Sequence, residues 1–315
     1  MKKKVLLILR GILAVALIAW IYNHADAADF GMAMASVNPW LLVALAAAVI
    51  AVMLMQGVKW WVLIHRFAPD LKLGRALSVH IESVFYTAVL PSGAHDVVKS
   101  VMLSKTQTPA VVWAASWLAR LMGLVSLLFF SVVGLLYLDS DILPEGFRTS
   151  LIIAVIAIVL LSALSFSKTL TRPFRVILSK WVGAKIMSRV EKLRDGIYMF
   201  KHERKTLALA FLASTATHLL IVFNVTFVVY IVSGNFYFVE CLAFVPLVEI
   251  MVVALPITPG GLGVREALMA LLFVRLGFDG AQIAVYVTLS LFTKIMAFAG
   301  AVPPLYRTIA GKGKK

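Results

Sequence analysis

Cysteine is nearly absent from this chain, and the lone Cys241 excludes an internal disulfide and any cysteine-built metal site. It reads as a small apolar packing residue. Charge is scarce as well, at 14% of residues. No metal-ligand spacing, phosphate-binding glycine loop or dinucleotide fingerprint occurs, so no metal and no cofactor is expected. No catalytic constellation emerges either. Ser92, His95 and Asp96 are neighbours in sequence, but a hydrolytic triad needs a base aimed at its nucleophile and an oxyanion hole. The expectation is a protein that is not an enzyme.

What is abundant is hydrocarbon. The chain is 62% hydrophobic, with a mean hydropathy of +0.96. Several apolar runs reach the roughly 18 residues or more needed to cross about 30 Å of lipid. The expected fold class is all-α, a polytopic membrane helical bundle, with residues 1–315 forming one integral membrane domain. The formal net charge of +15 does not point to nucleic acid, because the excess lies in loops beside the apolar runs. Positive loops mark the cytoplasmic side of a membrane and attract anionic lipid headgroups.

Full spans are expected at about 5–22, 40–64, 110–138, 150–167, 206–232 and 281–305. The first starts with Lys2, Lys3 and Lys4 and contains Arg10; without a small-x-small cleavage site it reads as a retained anchor. Asn38-Pro39 supplies an N-cap and N1 pair for the second. Loop charges place both termini inside, the acidic 23–38 and 139–148 connections outside, and 65–75 inside. Residues 168–205 hold eleven Lys and Arg against three acids, a net of +8. Their apolar residues recur at helical spacing, which describes a cytoplasmic basic amphipathic segment at headgroup level.

Parity then constrains two stretches. Residues 76–109 leave and return on the inner side, broken at Pro91-Ser92-Gly93. Residues 239–280 leave and return on the outer side, as a re-entrant hairpin or two short crossings, with Pro256, Pro259, Gly260, Gly261 and Gly263 at the tip. Prolines and glycines of this density break a helix, and the freed backbone groups need protein, water or a ligand at membrane depth. The two breaks resemble each other weakly, which is compatible with an inverted repeat whose hairpins meet near the midplane.

Charges inside the bilayer each cost about 2.5–3.5 kcal/mol and so demand a partner or a wet cavity. Arg120, deep in its span, is a candidate ligand for a headgroup, as are Arg265 and Glu266 directly after the glycine break. A salt bridge pinning the hairpin tip is the plainer reading of that last pair. Glu249 is placed to neutralise Arg120 or Arg265. Asp96 and Lys99 share a helix face at i, i+3, either as a structural pair or as a headgroup clamp. His95 sits at the first tip as a cavity-lining group. Lys59, Arg275 and Lys294 read as snorkelling cations, and His218 and Asn224 as interhelical hydrogen-bonding groups.

The run L-P-I-T-P-G-G-L-G-V-R-E-A at 255–267 follows V-P-L-V-E-I and precedes a G-F-D-G-A-Q turn. It resembles the C-terminal signature of the lysylphosphatidylglycerol synthase transmembrane-region family. V-L-P-S-G-A-H-D-V-V-K-S followed by W-L-A-R-L-M-G-L resembles that family's first block. This block departs from the family pattern at Ser92, Ala94 and His95, where glycines are usual, and at Lys99, where Arg is usual. The resemblance spans essentially the whole chain. It implies a fold with re-entrant segments, residence in the cell membrane and a role in moving lipids between leaflets. The fused aminoacyl-transferase domain of the larger relatives has no counterpart in these residues.

The expected function is therefore a flippase-like lipid translocase, with a central polar cavity that takes an anionic, zwitterionic or sugar-bearing headgroup. Two alternatives belong to other classes: an intramembrane enzyme acting on a lipid-linked substrate, and a non-transporting assembly factor that recruits a lipid synthase. Membrane lipids are the expected partners, with a synthase as a further one and no nucleic acid.

Overall fold

The computed structural model describes residues 2–89, 94–103, 107–138, 146–166, 184–254 and 257–295. The described residues are helical, with no strand among them. Long apolar stretches stay helical because in hydrocarbon a helix satisfies its own backbone. Three helices are long and apolar enough to cross a membrane: α3 (Pro39–His65), α6 (Pro109–Tyr137) and a third introduced below as α9. Asn38 starts α3 as its sequence foretold, its Oδ1 accepting from the Trp40 amide at 2.9 Å with Pro39 in the first turn.

The expected 23–38 loop is instead a bent continuation. α1 (Lys2–Tyr22) turns by 90° into α2 (Ala27–Ala35). Asp26 makes the corner, its carboxylate accepting from the amides of Ala28 and Asp29 at 2.8 and 3.2 Å. An aspartate read as a topology marker is thus an N-cap. With α1 and α2 taken as one bent span, four helical units among the described residues meet the length and composition of a crossing. Two further apolar helices are shorter: α7, introduced below, over Thr149–Ser165, and the last helix over Gly280–Ile295. The expected extension of that last span to 305 lies outside the described residues.

The first predicted hairpin consists of α4 (Leu73–Val89) and α5 (Ala94–Leu103), packed side by side. The ten residues of α5 rise about 15 Å, half the hydrocarbon thickness. After α6 come α7 (Phe147–Phe166), α8 (Ala184–Met199) and α9 (Arg204–Ser233). The second predicted hairpin is α10 (Phe238–Ala254), a 3₁₀ turn at Pro259–Gly261, and α11 (Val264–Arg275). α11 has 12 residues and rises about 18 Å, again short of a crossing. α12 (Gly280–Ile295) closes the described chain.

The two larger of three apolar cores among the described residues form one around each hairpin. Trp60, Leu63 and Ile64 of α3 pack with Ala76, Val79 and Leu103 of the first hairpin. Phe244, Leu247 and Val248 of α10 pack with Met269 and Phe273 of α11 and with α12. α6 joins the two, and half of its most apolar window is buried, against 17% for α3. A Cβ on Gly134 would sit 2.7 Å from the backbone carbon of Leu242, so α6 meets α10 at backbone distance through a residue without a side chain.

The basic segment is docked rather than lying free at headgroup level. α8 packs along α6, with Ile197 and the following Phe200 buried against it. Residues 168–183 of that segment lie outside the described set.

Candidate functional site

The two hairpins converge. α4, the entering arm of the first, packs against the Pro259–Gly261 turn of the second. Pro91, Ser92, Gly93 and Pro256 lie outside the described residues. His95 and Asp96 belong to the first turn of α5, with their side chains outside the described set. Gly260, Gly261 and Gly263 adopt φ of 61°, 74° and 78°, the left-handed region that favours glycine. At Gly263 a second constraint applies: a Cβ would lie 2.7 Å from the carbonyl oxygen of Ala14 in α1. The glycine run therefore serves a sharp reversal and the close passage of another helix.

Beyond that reversal, adjacent residues take different tasks. Arg265 reaches back to α10 and donates to both carboxylate oxygens of Glu249, Nε to Oε1 at 2.6 Å and Nη2 to Oε2 at 2.9 Å. Both side chains are mostly buried, at 16% and 20% exposure. Glu266 is fully buried and points elsewhere: it accepts from the Gly263 amide at 2.8 Å and the Ser290 hydroxyl at 3.0 Å. It caps the orphan amides at the start of α11 and pins that helix to α12. The expected Arg265–Glu266 pinning pair is thus replaced by Arg265–Glu249, and Glu266 serves as a cap.

Glu249 and Arg265 line an open-sided cavity of about 240 Å³ bordered by α3, α9, α10, α11 and α12. It borders residues 49–56 in the middle third of α3. Gln56, Asn224 and Tyr286 add polar groups to its wall, joined by Ser290, Thr293 and Lys294 of α12. The side-chain nitrogen of Asn224 is shielded from solvent and has no hydrogen-bond partner among the described residues. The interhelical bond expected of it is not made there, nor is one made by Nδ1 of His218.

Other expected site residues stand apart from this cavity. Arg120 is on the exposed face of α6, while its neighbours Ala119 and Leu121 are buried. Lys99 is buried in the first hairpin, its ammonium 4.9 Å from the centre of the Trp60 ring. Lys294, read as a snorkelling cation, is a cavity residue instead. Lys59 also turns inward: a Cβ on Gly123 would be 3.8 Å from its Nζ and 3.4 Å from Cε1 of His218. A polar track thus continues from the cavity between α3, α6 and α9.

Residues 7–300 match the family model described as the lysylphosphatidylglycerol synthase TM region. The chain belongs to that family. No curated protein and no solved structure matches it. Membership in the lysylphosphatidylglycerol synthase TM-region family, together with the apolar helices, establishes a membrane protein whose role concerns membrane lipids.

Proposed function

We propose that this family member is a lipid translocase of the flippase type, passing a polar headgroup through the cavity while the acyl chains stay in the bilayer. The observation that carries the reading is the Glu249–Arg265 ion pair lining a polar cavity beside the middle of α3, next to a broken helix. An ionic group in hydrocarbon is expensive, and a wall of hydrogen-bonding groups removes most of that cost for a headgroup in transit. A broken helix with a second hairpin packed against the break is a usual construction of such a central site. Positive loops orient both termini to the cytoplasm of a cell-membrane protein. Energy comes from an ion gradient or from consumption of the product.

Reconstitution into vesicles carrying tail-labelled lipids tests the reading. Leaflet exchange of at least one lipid should run tenfold or more above protein-free vesicles, and Arg265→Ala should abolish the gain. No acceleration for any phospholipid, glycolipid or polyprenyl-linked sugar in a broad panel would overturn it.

A further inference from the structure

The corner between α1 and α3 marks the level of one membrane face. The 21 residues of α1 rise about 31 Å, a full crossing of hydrocarbon without help from α2. α1 therefore arrives at that face at Tyr22, and α3 sets out again from it at Pro39. Trp20 and Trp40, 49% and 77% exposed, stand one at each of these helix ends, and indole rings favour the interface. α2 lies between them and turns by 90° from α1, so it runs along the membrane plane rather than into it.

The two sides of α2 are unequal. Phe30, Ala33 and Met34 turn inward, half-buried against the core around the second hairpin. Ala28, Met32 and Ala35 share the opposite side at i, i+4 and i+7, all exposed, with Met32 at 66%. The helix has no Lys or Arg, and Asp29 is its one charged residue. An anionic headgroup finds no cation there, whereas acyl chains find an apolar strip.

We propose that α2 is a membrane-surface helix, seated in the plane of one leaflet with the Ala28–Met32–Ala35 strip against the acyl boundary of the lipids. That leaflet is the outer one in the orientation proposed above, and the seat stands independently of the translocase reading. The occupant is lipid because the strip continues the exposed apolar surfaces of α1 and α3 at the level their tryptophans mark. The seat also sets the depth of the cavity. The elbow rests on the first residue of α12, where a Cβ on Gly280 would collide with the His24 carbonyl. α2 packs along α12 as well. Tyr286 and Lys294, on the cavity wall, then lie roughly 9 and 21 Å along α12 from that level, on either side of the bilayer midplane.

Spin labelling of the full chain in phosphatidylcholine vesicles tests the seat. Met32→Cys in a Cys241→Ala background carries a nitroxide whose collisions with oxygen and with a water-soluble nickel chelate report its depth. Ile50→Cys, at an exposed position of α3, is the deep reference. The label at 32 should lie roughly 5–10 Å below the headgroup level and the label at 50 roughly 16 Å below it. Adding phosphatidylglycerol should leave the depth at 32 unchanged, and a depth that follows anionic lipid would overturn the apolar seat. A label at 32 as deep as that at 50 would make α2 the second half of a bent crossing and also overturn it. So would free nickel access without oxygen collisions, which means water, or shielding from both reagents, which means a covering protein. Ala35→Cys gives the same readout should Met32→Cys fail to fold. Interfacial depth at 32 in vesicles that show no lipid exchange would uphold the seat and bring down the translocase reading alone.

Discussion

Arg265 holds Glu249 across the break between α10 and α11 by two near-parallel hydrogen bonds of 2.6 and 2.9 Å. The two stand sixteen positions apart with the whole proline–glycine interruption between them, so the pair works as a strut across it. Removing one partner strands the other in a poorly solvated place, at a cost of about 3–5 kcal/mol for a buried pair. Arg265→Ala and Glu249→Ala should each lower the Tm markedly, and Arg265→Met with Glu249→Leu should recover much of the loss. Thermal unfolding in nanodiscs reads this out. Additive losses in the double variant would show that the two side chains are not coupled.

Glu266 predicts a different pattern from its neighbour. Glu266→Ala leaves the Gly263 amide and Ser290 hydroxyl without acceptors, a loss of about 1–3 kcal/mol per stranded group. Glu266→Gln keeps one carbonyl oxygen and should be milder. Exchange activity per folded molecule should stay close to wild type in both. A Glu266→Gln protein of normal Tm but no activity would mark Glu266 as a ligand after all.

The glycines of the turn are separable. At Gly260 an added Cβ meets open space, so Gly260→Ala should cost only the backbone strain of a left-handed residue, about 1–2 kcal/mol. At Gly263 the same strain is joined by a collision with the Ala14 carbonyl, which adds about 1–3 kcal/mol of overpacking. Gly263→Ala should therefore unfold at the lower temperature of the two. Equal Tm values would mean that α1 yields without cost.

Outside the membrane-spanning segments, Arg66 and Glu203 tie the end of α3 to the start of α9 through bonds of 2.6 and 2.8 Å. Hydrogen bonds from Arg66 hold the Glu203 carboxyl below its ordinary value. A lowered folded value means the stabilisation is present above about pH 4.3, the unfolded glutamate value, and is lost as pH falls through the folded one. The Tm difference between wild type and Glu203→Gln should be positive near pH 7 and shrink in acid. A difference that is constant between about pH 7 and pH 3 would contradict it.

Depth was legible in the sequence; direction around each helix was not. The apolar runs foretold α3, α6 and α9, and the Pro–Gly clusters foretold where helices had to stop. Glu249 and Arg265 were legible as membrane-buried charges in need of partners, and they found each other. Arg120 was read correctly as lying well inside α6, but a residue turns by about 100° relative to the next, and this one faces outward between buried neighbours. The same rotation separates Arg265, which faces the cavity, from Glu266, which faces Gly263 and Ser290. Lys294 erred in the opposite sense, because a lysine stem long enough to reach the interface is equally able to reach a neighbouring helix. Gln56 and Asn224 carried a signal in being amides within apolar spans, yet nothing local tells which amide faces a cavity and which faces a partner.

The hydroxyl of Tyr22 meets that of Thr288 at 2.6 Å, and α1 lies along the glycine turn and α12. During synthesis α1 must then wait, unclasped, until more than 260 further residues have followed it out of the ribosome. The chamber wall supplied by α12 is set in place at that same late moment. A half-made chain thus lacks one wall of the cavity until α12 arrives.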